Sequence, residues 1–210
     1  MVPVVFPDPA SLWLFCLAAL ALLAIPGPAV LYIVAQSAEQ GPRVGLASVA
    51  GVHLGTLVHV AAAAVGLSAL ILASEVAFNV VKYAGAAYLV VLGIRKLLER
   101  DRDAIVARGP EPLRQAFLRG AVVNVLNPKT ALFFLAFLPQ FVDASRGGVW
   151  SQVIVFGLVF VGLGSITDSL YALAAGTVAG ALRRKRTLLR YGSGAMFIGL
   201  GAVAALAKRT

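Results

Sequence analysis

Cysteine is almost missing from this chain of 210 residues: Cys16 is the only one. A single thiol excludes an intramolecular disulfide and a dithiol redox carrier, and within an apolar run it reads as a small filler. Histidine is nearly as scarce, with His53 and His59 alone. Two histidines without a cysteine cluster give a structural metal site no support, and no cofactor is expected. Acidic residues number nine, and charged residues make up only 13% of the chain, about half the usual share in a soluble domain. So little polar surface excludes soluble enzyme folds and secreted modules. No glycine-rich ATP-binding loop is present, which excludes primary transport by this chain alone. A passive channel lacks support too, because there is no ring-forming run of charges and no filter-like repeat.

What the chain has instead is apolar length. Hydrophobic residues make up 60%, and the mean hydropathy is +0.91. Residues 9–38, 44–74 and 191–207 carry no charge, while 76–94, 120–142 and 147–182 carry one each: Lys82, Lys129 and Asp168. Each run is long enough, or nearly so, to cross about 30 Å of hydrocarbon. This predicts an all-α integral membrane protein with six transmembrane helices, near 11–37, 43–69, 76–98, 116–141, 149–181 and 188–207. The first run is expected to be a span and not a cleaved signal peptide, since no Lys or Arg precedes it.

The net charge of +9 does not indicate nucleic acid. Thirteen basic residues fall in the loops after the first, third and fifth spans, against three on the other side. That asymmetry predicts a multi-pass protein of the bacterial cytoplasmic membrane with both termini outside. On this reading Arg183-Arg184-Lys185-Arg186 is a topological anchor. Membrane lipid is then a partner, and a homo-oligomer is compatible with the sequence.

Self-comparison gives a repeat. Lys82-Tyr83-Ala84-Gly85-Ala86-Ala87 aligns with Arg190-Tyr191-Gly192-Ser193-Gly194-Ala195, and Pro26-Gly27-Pro28-Ala29 with Pro128-Lys129-Thr130-Ala131. The chain divides into a first three-helix repeat (1–98), a cytoplasmic linker (99–115) and a second three-helix repeat (116–210). With three spans per unit the copies run in opposite directions, so the fold class is two inverted repeats of the kind secondary transporters use.

Both units carry proline near the middle of their first span. Pro26 and Pro28 cannot donate to the carbonyls of Leu22 and Ala24, and Pro128 frees that of Asn124. Broken backbone is tolerated in a membrane only inside protein or beside water. Asn127-Pro128 also suits a helix restart, with Asn as N-cap and Pro at the first position. The half-helix behind it would direct N–H groups and a partial positive charge at a carboxylate.

At these residues the sequence resembles the lysine exporter (LysE/RhtB) family of bacterial amino-acid exporters. The likeness runs over Pro26-Gly27-Pro28, Gly41 and residues 45–66, then Lys82-Tyr83-Ala84-Gly85-Ala86-Ala87-Tyr88-Leu89 up to Gly93. It continues through Phe117-Leu118-Arg119-Gly120, Asn124-Val125-Leu126-Asn127-Pro128-Lys129, Phe133-Phe134 and Leu138-Pro139-Gln140-Phe141. The resemblance implies a non-enzymatic secondary transporter that exports an amino acid under the proton-motive force.

Charges inside the spans locate the candidate site, because each costs at least about 2.5–3.5 kcal/mol near mid-bilayer and must face protein or water. A zwitterionic substrate needs a cation for its carboxylate and an acceptor for its ammonium. Lys129 is expected to supply the first and Asp168 the second, with Lys82 a candidate charge partner near a helix end. Pro26, Gly27, Pro28, Asn124, Asn127 and Pro128 complete the expected substrate site. Asp168 is the expected proton carrier, with His59 next; His53 has no assigned role. The scarcity of buried acid favours a neutral substrate, such as threonine, homoserine or a branched-chain amino acid. The alternative is an intramembrane hydrolase or lipid-processing enzyme. Its nearest nucleophile, Ser193, sits in a repeated Gly-Ser-Gly element that reads as packing.

Overall fold

The computed structural model describes residues 4–73 and 112–175, with isolated helical positions between 83 and 98 and between 177 and 202. Among the described residues there is helix and no strand. α1 (Pro9–Ala24) starts at Asp8, whose carboxylate accepts the N–H groups of Ala10 and Ser11. It stops where prolines follow at alternate positions. A residue before proline is driven out of the helical region, and both such residues are extended: Ile25 (φ −92°, ψ 112°) and Gly27 (φ −104°, ψ −171°). Pro28 then opens α2 (Pro28–Gln40), bent by 53° from α1.

The same device recurs later in the chain. α4 (Leu113–Val125) ends at Leu126, and Asn127 before Pro128 is extended (φ −79°, ψ 109°). α5 (Pro128–Leu132) follows, with the Asn127 side chain accepting the Lys129 N–H. The bend between α4 and the Pro128–Phe141 segment is 47°. Beyond α5 the backbone widens into a π turn (Phe133–Phe137) and tightens to a 3-10 turn (Leu138–Phe141). Judged by helix position, Pro28 matches Pro128, since both stand first after the cap. The sequence alignment placed Pro26 there, two residues out of register, because composition cannot tell which proline restarts the helix.

Between these bent pairs run the straight helices α3 (Pro42–Ala73) and α6 (Val149–Leu173). Gly41, at φ +91°, makes the sharp corner from α2 into α3. α3 packs along α4, α6 and α2. Its contact with α4 is backbone on backbone: a Cβ on Gly51 would collide with the Phe117 carbonyl, and one on Gly55 with that of Ala121. From the facing side, Gly120 abuts the Ser48 carbonyl. These glycines set the close approach expected of small residues between membrane helices. Gly51→Ala is therefore expected to cost about 1–3 kcal/mol by overpacking. Gly162→Ala, at an exposed site with no described neighbour within 4 Å, should leave the melting temperature unlowered.

α3 (over Pro42–Gly66) and α6 are long and apolar enough to cross a membrane, and each bent pair has the length and composition of a broken span or a re-entrant loop. These elements fall where four of the six spans were expected. The other two, near 76–98 and 188–207, fall largely outside the described residues, as do Lys82, Ser193 and most of the 99–115 linker. The fifth span was expected to continue to 181: α6 runs to Leu173, Ala174 forms a turn (φ −89°, ψ 10°), helical positions follow at 175 and 177, and the rest lies outside the described residues. Phe15, Phe133, Phe134, Phe137, Phe156 and Phe160 make the main core, which joins α1, the π turn and α6. Outward positions such as Trp13, Leu17, Leu158 and Leu170 are exposed, as lipid-facing residues are.

Candidate functional site

The two breaks meet. Lys129, the second residue of α5, is buried, and its ammonium donates to the Leu22 carbonyl at 2.7 Å and the Ile25 carbonyl at 2.5 Å. Tyr171 of α6 donates to the Ala24 carbonyl at 3.1 Å. The Leu22 and Ala24 carbonyls freed by Pro26 and Pro28 thus find donors from other helices. The lysine stem passes Gly27, where a Cβ would lie 2.9 Å from Lys129 Cδ. A side chain at position 27 would make that stem shift.

Asn124 organises the second break. Its amide nitrogen donates to the Val52 carbonyl and to Thr56 Oγ1, both at 2.9 Å. Its side-chain oxygen accepts from Asn127 at 3.1 Å and from the Thr130 hydroxyl at 2.9 Å. Its backbone carbonyl, freed by Pro128, accepts from the Asn127 N–H and from His59 Nε2, both at 3.0 Å. His59 thus ties α3 to α4, with its ring stacked near Phe134. It does not line the cavity, and its bond to Asn124 matches a packing role more than that of the second proton carrier.

Asp168 of α6 is 3% exposed and faces His53 of α3, with Oδ2 3.2 Å from His53 Nε2. The contact is close enough for an ion pair, while both His53 ring nitrogens and Asp168 Oδ1 lack hydrogen-bond partners among the described residues. Gly164 makes room for the imidazole, since a Cβ there would lie 2.6 Å from His53 Cε1. Buried polar atoms without partners are costly and rare in native proteins.

A cavity of about 40 Å³ opens at this point, room for water but not for an amino acid. Gly27, Asn124, Asn127, Lys129 and Asp168 line it, together with His53, Thr56 and Thr130. Of the expected set, Pro26, Pro28 and Pro128 shape the breaks without lining the cavity. The structure adds His53, Thr56 and Thr130. His53 and Thr56 stand three apart on one helix and share a face, the signal that would have found them. The α2 N-terminus also reaches the cavity, through Gly27, Ala29 and Val30, and no side chain caps it.

The profile of the LysE type translocator family matches residues 13–208. An uncharacterised membrane protein of Vibrio cholerae is 32% identical over 93% of this chain and 97% of its own length. Another, from Pseudomonas aeruginosa, is 31% identical over 93% of this chain and 94% of its own. A leucine efflux protein of Enterobacter is 28% identical over 91% and 93% respectively. No solved structure matches.

Proposed function

From the premise that the chain belongs to the LysE type translocator family, we propose that it exports a neutral amino acid across the bacterial cytoplasmic membrane in exchange for protons. The observation that carries this reading is a buried carboxylate, Asp168, left short of partners beside a cavity between two broken helices. Family membership supports translocation over hydrolysis. The leucine efflux protein among its relatives supports a branched-chain substrate within the neutral class.

In this mechanism Asp168 receives the substrate ammonium, and the uncapped N-terminus of α2 receives the carboxylate through backbone N–H groups and the helix dipole. Lys129 adds positive potential but is held on the α1 carbonyls. The ammonium and a proton compete for one carboxylate, so release of one accompanies uptake of the other. His53, 3.2 Å away, passes the displaced proton on from Asp168 to the aqueous side, so the proton leaves as the substrate binds. The cavity must widen to load an amino acid, which makes the described arrangement a closed stage of the cycle.

The decisive experiment is efflux from preloaded vesicles across a panel of amino acids, with and without a proton gradient. Gradient-driven efflux of leucine or threonine is the expected result; equal rates with the gradient collapsed would overturn proton coupling. Orientation has its own check. With both termini outside, an impermeant thiol reagent added outside should label Arg146→Cys and miss Ile105→Cys, in a Cys16→Ser background. The reverse pattern refutes the assigned topology.

A further inference from the structure

Lys129 is an unusual buried cation because both hydrogen bonds of its ammonium go to backbone carbonyls. Its ammonium donates to two carbonyls, of Leu22 and Ile25, and among the described residues it makes no ion pair. Burying an ammonium with no carboxylate in contact is expensive. The end of α1, where the helix dipole concentrates about half a negative charge, offsets part of the cost, and the Asp168 carboxylate on the same cavity adds attraction from a distance. The prolines have also removed the i+4 amide hydrogens of the Leu22 and Ala24 carbonyls, leaving Leu22 only a long 3.3 Å bond from the Ile25 N–H. Ile25, extended, turns a third carbonyl out of the helix. Carbonyls at the end of a broken membrane helix are the ligands with which such helices hold coupled cations. Here they converge on a side-chain ammonium, and the chain keeps Gly27 where a Cβ would block its stem.

We propose that the C-terminal end of α1 is a monovalent-cation site and that the Lys129 ammonium is its tethered occupant. The ligand class is a small cation able to lie among carbonyl oxygens, either an alkali metal ion or a primary alkylammonium. Tethering the cation makes the wild-type protein indifferent to sodium. It also fixes a positive charge beside Asp168 on the same cavity. The inference concerns this site whichever solute is exported, and its readout is binding, so it stands or falls apart from the export reading.

The test removes the tether and supplies the cation freely. Wild type, Lys129→Ala and Lys129→Met, the last keeping most of the stem's volume, are melted in lipid nanodiscs. The salts are sodium chloride, ethylammonium chloride or choline chloride at equal ionic strength. The wild-type midpoint is expected to be the same in all three. Both variants should melt lower in choline and gain several degrees in sodium or ethylammonium, saturating with concentration as a bound ligand requires. A gain with ethylammonium alone assigns a hydrogen-bonding ammonium site, and one with sodium alone a coordinating metal site; either supports the proposal. Variants that melt identically in all three salts overturn it. So does a wild type that responds to sodium as strongly as they do. Failure of both variants to fold even with ethylammonium present overturns it as well, because a free ammonium should then have replaced the tethered one.

Discussion

Asp168→Asn protein is expected to release substrate down its gradient and to lose efflux against it. The substitution keeps the shape of a side chain that is 3% exposed and removes only its charge and its capacity to carry a proton. A hydrogen bond to a charged group contributes about 1.5–3 kcal/mol. Downhill exchange should therefore fall by about 10–100-fold, while the uphill component, which needs the proton, disappears. His53→Gln supplies the contrast. It retains a donor near Asp168 Oδ2 and removes the second proton acceptor, so uphill efflux should persist with an altered pH profile. The measurement is efflux from vesicles under an imposed pH gradient, with folding checked by melting. An Asp168→Asn protein that still concentrates substrate would make the carboxylate structural and place the coupling elsewhere.

Asn124→Ala is expected to produce the largest loss of stability. The side chain is 2% exposed and serves Val52, Thr56, Asn127 and Thr130 at once. Truncation leaves those groups buried with partners missing, at about 1–3 kcal/mol for each that stays unsatisfied. Inside membranes such bonds average nearer about 0.6 kcal/mol, because neighbours adjust. The sum expected is about 2–4 kcal/mol. Thr130→Val, which removes one of the four contacts, should cost no more than about 1 kcal/mol by the same reasoning. Equal losses from the two substitutions, read by denaturant titration in detergent, would contradict the central place given to Asn124.

These two residues also mark how far the sequence could be read. The breaks were legible because proline acts locally: it removes a donor and constrains the residue before it, and both effects are written in the chain. Asp168 and Lys129 stood out because a charge in an apolar run must be accommodated somewhere. Their partners were not legible. Lys129 bonds carbonyls of α1, a meeting fixed by how the bent pairs cross and not by anything local to Lys129. His53 and His59 look alike in sequence, six residues apart on one helix. Only the packing of α3 between α4 and α6 decides that the first meets Asp168 and the second meets Asn124. Asn124 itself was identified for its freed carbonyl, while most of its work is done by its amide, pointing to a helix about 70 positions earlier.

The bond from Lys129 to the end of α1 joins residues 107 and 104 positions apart, and Tyr171 reaches Ala24 across 147. During synthesis α1 and α2 enter the membrane long before either donor exists. Until then the Leu22 carbonyl has only the Ile25 N–H at 3.3 Å, and the Ala24 and Ile25 carbonyls must be served by water or by the insertion machinery, since each bare one in hydrocarbon costs several kcal/mol. The first break is therefore a debt incurred early in assembly and settled only when α5 and α6 arrive. A chain that stopped before α5 would never settle it. The first bent pair depends on the second, and on α6, to complete its own backbone bonding.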